Sequence, residues 1–180
     1  MADPHRYQAI RDRFEATVAQ LRTRVDANLF TTSTFRDNCR LIVPADKANQ
    51  VHSLLASLKA MGFDMLVELG AADYLHYPHA TDRYGVWYCL LNTQSGERII
   101  VKTFVNDPEP RLRSVFDLWQ GADWMEREAY DLFGIEFEGH PDLRRILLPD
   151  EFTSFPLRKD YPLRGKGERH NFQPILRAES

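Results

Sequence analysis

Two runs decide how this sequence folds: Tyr84–Leu91, YGVWYCLL, and Arg98–Val105, RIIVKTFV. Both are rich in β-branched and aromatic residues, which suit the pleated surface of a strand. Between them residues 92–97, NTQSGE, carry the Asn, Ser and Gly that turns favour, so the three pieces read as a hairpin. Just upstream, Phe63, Met65, Val67 and Leu69 alternate with Asp64 and Glu68. That is the period of a half-buried strand, and it predicts those four apolar side chains on the inner face. Residues 29–35 and 39–43 are two further strand candidates.

The periodicity elsewhere is helical. Asp3 and Pro4 suit an N-cap and a first-turn proline, and Tyr7, Ile10, Phe14, Val18, Leu21 and Val25 follow at helical spacing. Asp46 is placed to cap a second helix with the stripe Val51, Leu54, Leu55, Leu58 and Met61, stopped by Gly62. The order helix, two strands, helix, three strands implies an α+β fold, a two-layer domain with a mixed sheet over residues 1–107. Pro108 and Pro110 mark a boundary before a segment of short helices, residues 108–154. There Leu112, Val115, Phe116 and Trp119 suggest one short helix broken at Gly121. Asp123 with Glu126 has the spacing of a capping box for a second. Met125, Ala129, Leu132 and Phe133 give that helix one apolar face, and Gly134 is placed to end it.

At 180 residues, with 43% hydrophobic and 27% charged, the chain has the composition of a globular protein. It carries no apolar run near the ~20 residues that span a bilayer. Met1–Arg6 lacks a basic segment leading into an apolar core, so no secretory leader is expected, and Asp3, Asp12 and Glu15 argue against a transit peptide. Cys39 and Cys89 stand alone in apolar, strand-like runs and are expected as buried thiols. An iron–sulfur cluster usually takes four cysteines, so none is expected in this chain. Charge is unevenly spread. Residues 155–180 hold six Lys/Arg and three acids, a net of +3, which leaves −6 on residues 1–154 of a chain at −3 overall. With Pro156, Pro162 and Pro174, that end reads as an extended basic tail.

Residues 123–142 contain seven acids and one base, Arg127, before Arg144 and Arg145. The plain reading is a solvated helix face with Arg127 and Asp131 as an i,i+4 pair, worth ~0.3–0.5 kcal/mol. Yet Trp119, Trp124, Tyr130, Phe133, Ile135, Phe137 and Phe152 are interleaved with these charges. An acidic, aromatic ledge beside a basic arm suits contact with another chain.

The alternatives in chemistry are poorly supplied. No G-x-G-x-x-G or P-loop is present, so direct nicotinamide or flavin binding is not expected. His76 and His79 flank Pro78 and read as a loop pair, not a metal site. Glu126 and Glu128, two apart, point in different directions on a helix and cannot form one acid–base pair. His140, beside Pro141 and Asp142, suits a buried backbone partner or an interfacial carboxylate, with proton transfer as the alternative. The body is acidic and the tail charges are dispersed, so a protein partner fits better than nucleic acid or lipid. Phe155, Leu157, Tyr161 and Phe172 are suitable anchors for an arm that docks.

The stretch Glu126-Arg127-Glu128-Ala129-Tyr130-Asp131-Leu132-Phe133-Gly134-Ile135, then His140-Pro141-Asp142-Leu143-Arg144-Arg145-Ile146-Leu147, resembles the signature of one family. The likeness continues through Leu148-Pro149-Asp150 to Phe155-Pro156-Leu157-Arg158-Lys159-Asp160-Tyr161-Pro162. The family is the thirty-kilodalton subunit of proton-translocating NADH–quinone oxidoreductase, respiratory complex I. The resemblance implies a chain with no cofactor of its own, FMN and iron–sulfur clusters lying in partner subunits. It implies a structural, non-catalytic role in the peripheral arm against the quinone-site subunit, on the cytoplasmic side of the bacterial inner membrane. The residues it marks as a subunit interface are Glu126, Arg127, Glu128, Tyr130, Asp131, His140, Arg144, Arg145, Phe155, Leu157, Arg158, Lys159 and Tyr161. A homologous subunit of a membrane-bound hydrogenase or another quinone-linked dehydrogenase is the alternative within the family. A free-standing soluble enzyme is the alternative outside it.

Overall fold

The computed structural model describes residues 4–167. Helix α1 (Pro4–Leu21) leads into strands β1 (Thr31–Phe35) and β2 (Asn38–Ile42). A 3₁₀ turn (Ala45–Gln50) and helix α2 (Val51–Ala60) follow, then strands β3 (Met65–Asp73), β4 (Tyr84–Leu91) and β5 (Arg98–Val105). Beyond them lie β6 (Arg111–Arg113), helix α3 (Ala122–Phe133) and β7 (Glu136–Glu138). The main sheet runs β1-β2-β5-β4-β3, antiparallel except where β2 pairs parallel with β5. The mixed α+β domain expected from the sequence is the one found.

The β4–β5 hairpin has the expected bounds. Asn92 closes its loop, its Oδ1 accepting from the N–H groups of Gln94 and Ser95 (both 3.0 Å). On the inner face Val86 opposes Thr103, Tyr88 opposes Val101 and Leu90 opposes Ile99, all at 0% exposure. They join Phe14, Val18 and Leu21 of α1 and Leu54, Leu55 and Leu58 of α2 in one core. Leu112, Val115, Ala129, Phe133, Ile135 and Phe137 belong to the same core, so the chain after Pro108 shares it.

Four local expectations change. The alternation through β3 is interrupted by a bulge: Leu66 opposes Leu90 and Glu68 opposes Cys89, leaving Val67 as the extra residue. One inserted residue flips the phase of everything beside it, so Leu66 and Leu69 face the core while Met65 and Val67 face out. Asp46 does not cap α2, because the 3₁₀ turn comes first, with Pro44 at its cap position and no side-chain cap bond. The helix expected at Leu112–Trp119 is instead the short strand β6, paired in parallel with β7, followed by turns. The capping box at Asp123 is absent: Gly121 is the N-cap of α3, with no side-chain cap bond. The N-cap proposed at Asp3 lies outside the described residues. No helix among those residues is long and apolar enough to cross a membrane.

Candidate functional site

Helix α3 and the segment after β7 are joined by a dense set of partly buried polar contacts. A helix ends with four carbonyls that lack intrahelical donors. Here each finds one. Gly134, at φ +72°, turns the chain and donates its N–H to Tyr130 O (2.8 Å). Arg145 Nη1 donates to Asp131 O (3.0 Å) and Leu157 N to Leu132 O (3.1 Å). Arg158 Nε donates to Phe133 O (2.6 Å). The strap, residues 144–161, is thus the C-cap of α3. A Cβ on Gly134 would stand 2.6 Å from Arg158 Nη2 and from the Phe155 ring, so the crossing leaves no room for a side chain.

Arg127 and Asp131 share a face of α3, as their spacing requires. They do not pair with each other. Arg127 donates from Nε to Arg144 O and from Nη2 to Arg145 O (both 3.1 Å). Asp131 Oδ2 accepts the N–H groups of Ile146 (3.1 Å), Leu147 (2.7 Å) and Leu148 (2.9 Å). Its Oδ1 accepts Arg145 Nη1 (2.7 Å). One side chain holds the carbonyls and the other the amides of the same irregular backbone, which has no ladder to satisfy it. Burial pushes the Asp131 carboxyl up. The Leu148 and Leu147 amides, Arg145 and the Ile146 amide outweigh it, and the group lies below the usual aspartate range. Arg145 continues to Ser154 O (3.1 Å), with its guanidinium over the Phe155 ring (5.2 Å).

A second buried carboxylate lies one turn earlier. Glu126 Oε2 accepts Ser114 Oγ (2.6 Å) and Oε1 accepts Val115 N–H (2.7 Å), tying α3 to the chain after β6. Burial is the largest influence on it. Ser114 and Val115 oppose the rise, Asp117 and Asp123 add to it, and the carboxyl is pushed up to about 7. His140 is packed alongside with no side-chain exposure; its Nε2 is 3.9 Å from Glu126 Oε2 and 3.4 Å from Asp123 Oδ1. Asp142 N–H points at Nδ1 (3.1 Å), which makes Nδ1 an acceptor and leaves Nε2 to donate to Asp123 O (3.2 Å).

The strap ends on the far end of β3. Lys159 N–H donates to Asp73 Oδ2 (2.8 Å), and Arg83 meets Asp160 (2.7 Å), Asp73 (3.3 Å) and Asp107. The Arg83 side-chain bond holds the Asp160 carboxyl below its ordinary value. Ser114, Asp73, Arg83 and Asp107 were not singled out from the sequence. Each pairs with a residue at least ten positions away, a relation that local spacing does not carry.

Of the thirteen marked residues, Glu126 and Asp131 are wholly internal, and Arg127, Arg145 and Arg158 aim inward at backbone. Tyr130 and Phe155 meet edge to face (6.3 Å), and Tyr161 lies 6.1 Å from Phe152. Glu128, Arg144, Leu157 and Lys159 remain exposed. The aromatic ledge is also largely self-covered: Trp119, Phe133, Ile135, Phe137 and Phe152 are buried, whereas Trp124 is 66% exposed. The basic arm is likewise docked on this chain through residue 161, while Phe172, Arg169 and Arg177 lie outside the described residues. Cys39 and Cys89 are free and buried, and burial raises both thiols. His76 and His79 lie in the loop between β3 and β4.

The fold is an α+β sheet closed by a helix whose charges organise an irregular strap. The family model described as respiratory-chain NADH dehydrogenase, 30 Kd subunit, matches residues 41–167, and the chain belongs to that family. NADH-quinone oxidoreductase subunit 5 of Thermus thermophilus is 44% identical over 132 residues, 70% of this chain and 62% of that protein. An NADH-quinone oxidoreductase subunit of Vesicomyosocius okutanii is 37% identical over 162 residues, 77% of this chain and 79% of that one. The chain therefore spans less than two thirds of the Thermus relative. Among solved structures, a trypsin-resistant fragment (1–134) of Nqo5 superposes with a TM-score of 0.64 at 36% identity, over 73% of this chain and 99% of the fragment. A chain from a membrane-bound sulfane sulfur reductase, an archaeal respiratory membrane complex, gives 0.71 at 25% identity, over 93% and 96%.

Proposed function

We propose that this chain is a non-catalytic structural subunit of a proton-translocating NADH–quinone oxidoreductase, complex I. It joins neighbouring subunits of the peripheral arm. The observation that carries the reading is where the signature charges go: Arg127, Asp131, Arg145 and Arg158 each hold backbone of the chain itself, and so shape a surface. In this reading FMN and the iron–sulfur clusters belong to partner subunits. The quinone-site subunit is the main neighbour, and the complex keeps the chain on the cytoplasmic side of the bacterial inner membrane.

Tagging the chain in its own host and purifying it from mild-detergent extract tests this. NADH-binding and quinone-site subunits are expected to travel with it. A second reading, a subunit of a related membrane-bound complex, is favoured by the match to the sulfane sulfur reductase chain over 93% of this chain. Hydrogenase or sulfur-reducing subunits in the eluate would select it. A stable monomer overturns both.

A further inference from the structure

A groove of about 280 Å³ opens between β3 and α3. Gly70 and the Trp87 indole line it, in contact so close that a Cβ on Gly70 would lie 2.5 Å from the ring. Met125 and Leu132 of α3, Leu157 of the strap and the bulge residue Val67 add to its apolar lining. Val67 and Leu157 are 42% and 44% exposed, so the groove meets water with aliphatic side chains from two directions. After Leu157 the strap leaves for Asp73 and Arg83, and the described chain does not return to cover it.

Two further features identify the occupant. The Leu69 N–H meets the Met125 thioether (3.1 Å), a weak acceptor. The carbonyl of an added extended segment is the stronger partner that a strand amide of this kind takes. The carboxylates of Glu68 and Glu128 also line the groove. Glu68 accepts a long bond from Trp87 Nε1 (3.4 Å), and no Lys, Arg or His among the described residues forms an ion pair with either. The groove thus offers apolar depth, an amide held only by a thioether, and two carboxylates without an ion-pair partner among the described residues.

We propose that the groove seats an extended polypeptide segment of a neighbouring subunit, in which an apolar side chain is flanked by Lys or Arg. The proposal rests on the subunit reading above. The decisive experiment replaces Val67 with the photo-crosslinker p-benzoylphenylalanine in the full chain, purifies the assembled complex, irradiates it and maps the linked peptide. The expected product joins one other subunit through a peptide carrying Lys or Arg within two residues of an apolar side chain. Adding Glu68→Lys and Glu128→Lys is expected to cut the yield roughly tenfold or more, or to release the still-folded chain from the complex. No product, a product with a second copy or with this chain's own C-terminal residues, or a yield indifferent to the charge reversal overturns the proposal while the subunit reading stands. A parent chain, with Val67, Glu68 and Glu128 intact, that carries no other subunit through purification overturns both.

Discussion

Leu90 and Asp131 are equally buried, at 0% exposure, and they sit in regions held together by different means. Around Leu90 the backbone pairs with itself along β4 and its two neighbours, and side chains need only be apolar and complementary. Around Asp131 the strap has no ladder. Its amides at 146–148 and carbonyls at 144–145 are met by side chains of α3. Here charged side chains take over much of the work that secondary structure does in the sheet. A charge-rich motif can therefore mark a built surface as well as a reactive centre.

The sharpest way to break the comparison is Asp131→Ala. It leaves three amides and the Arg145 guanidinium without their acceptor, at an expected cost of about 3–5 kcal/mol. The loss is confined to the strap: trypsin is expected to cut after Arg144 or Arg145 while a folded body remains. Leu90→Ala, by contrast, opens a cavity in the shared core and lowers global stability by about 3 kcal/mol in urea denaturation, strap and sheet unfolding together.

The two carboxylates of α3 also separate by pH. Glu126 has its carboxyl raised to about 7 from an ordinary 4.5. Its stabilising share is therefore full below about 4.5 and disappears as pH rises through 7, leaving a penalty of about 3 kcal/mol above that. Asp131 is lowered from 3.8, so its share is present above that value and disappears in acid. Glu126→Gln is expected to flatten the stability profile between pH 5 and 7 and to gain on the parent at pH 8. A parent profile with no fall across that window contradicts the assignment. Gly134→Ala costs about 1–3 kcal/mol, because the left-handed turn and the Phe155 contact both resist a methyl group. Arg144→Glu is the smallest. Its side chain is 69% exposed and among the described residues pairs with Asp142, so stability should move by less than about 0.5 kcal/mol. Weaker assembly in a native gel would then report docking alone.

Much of the body was legible because hydrophobic period and turn chemistry agree there. The β4–β5 hairpin, the α2 stripe and the Gly134 stop all follow from residues a few positions apart. The bulge at Val67 was not legible, since Phe63, Met65, Val67 and Leu69 keep a two-residue period that only Leu66 disturbs, and the slip comes from fitting β3 to β4 while Leu66 and Leu69 both reach the core. Leu112–Trp119 has helical spacing, but pairing with β7 and the Glu126 bond to Val115 N–H decide its shape. The signature identified the family without revealing its geometry. Arg127 and Asp131 stand at pairing distance along a helix, and only the returning strap, seventeen or more residues later for Arg127, shows why they do not pair.

The central claim, that signature charges act as the secondary structure of the strap, is tested most directly by amide hydrogen exchange on the full chain. Ile146, Leu147 and Leu148 are expected to be protected in the parent and to exchange freely in Asp131→Ala, while Leu90 and Val101 keep their protection in both. Free exchange at 146–148 already in the parent, or protection there that survives the substitution, contradicts the account.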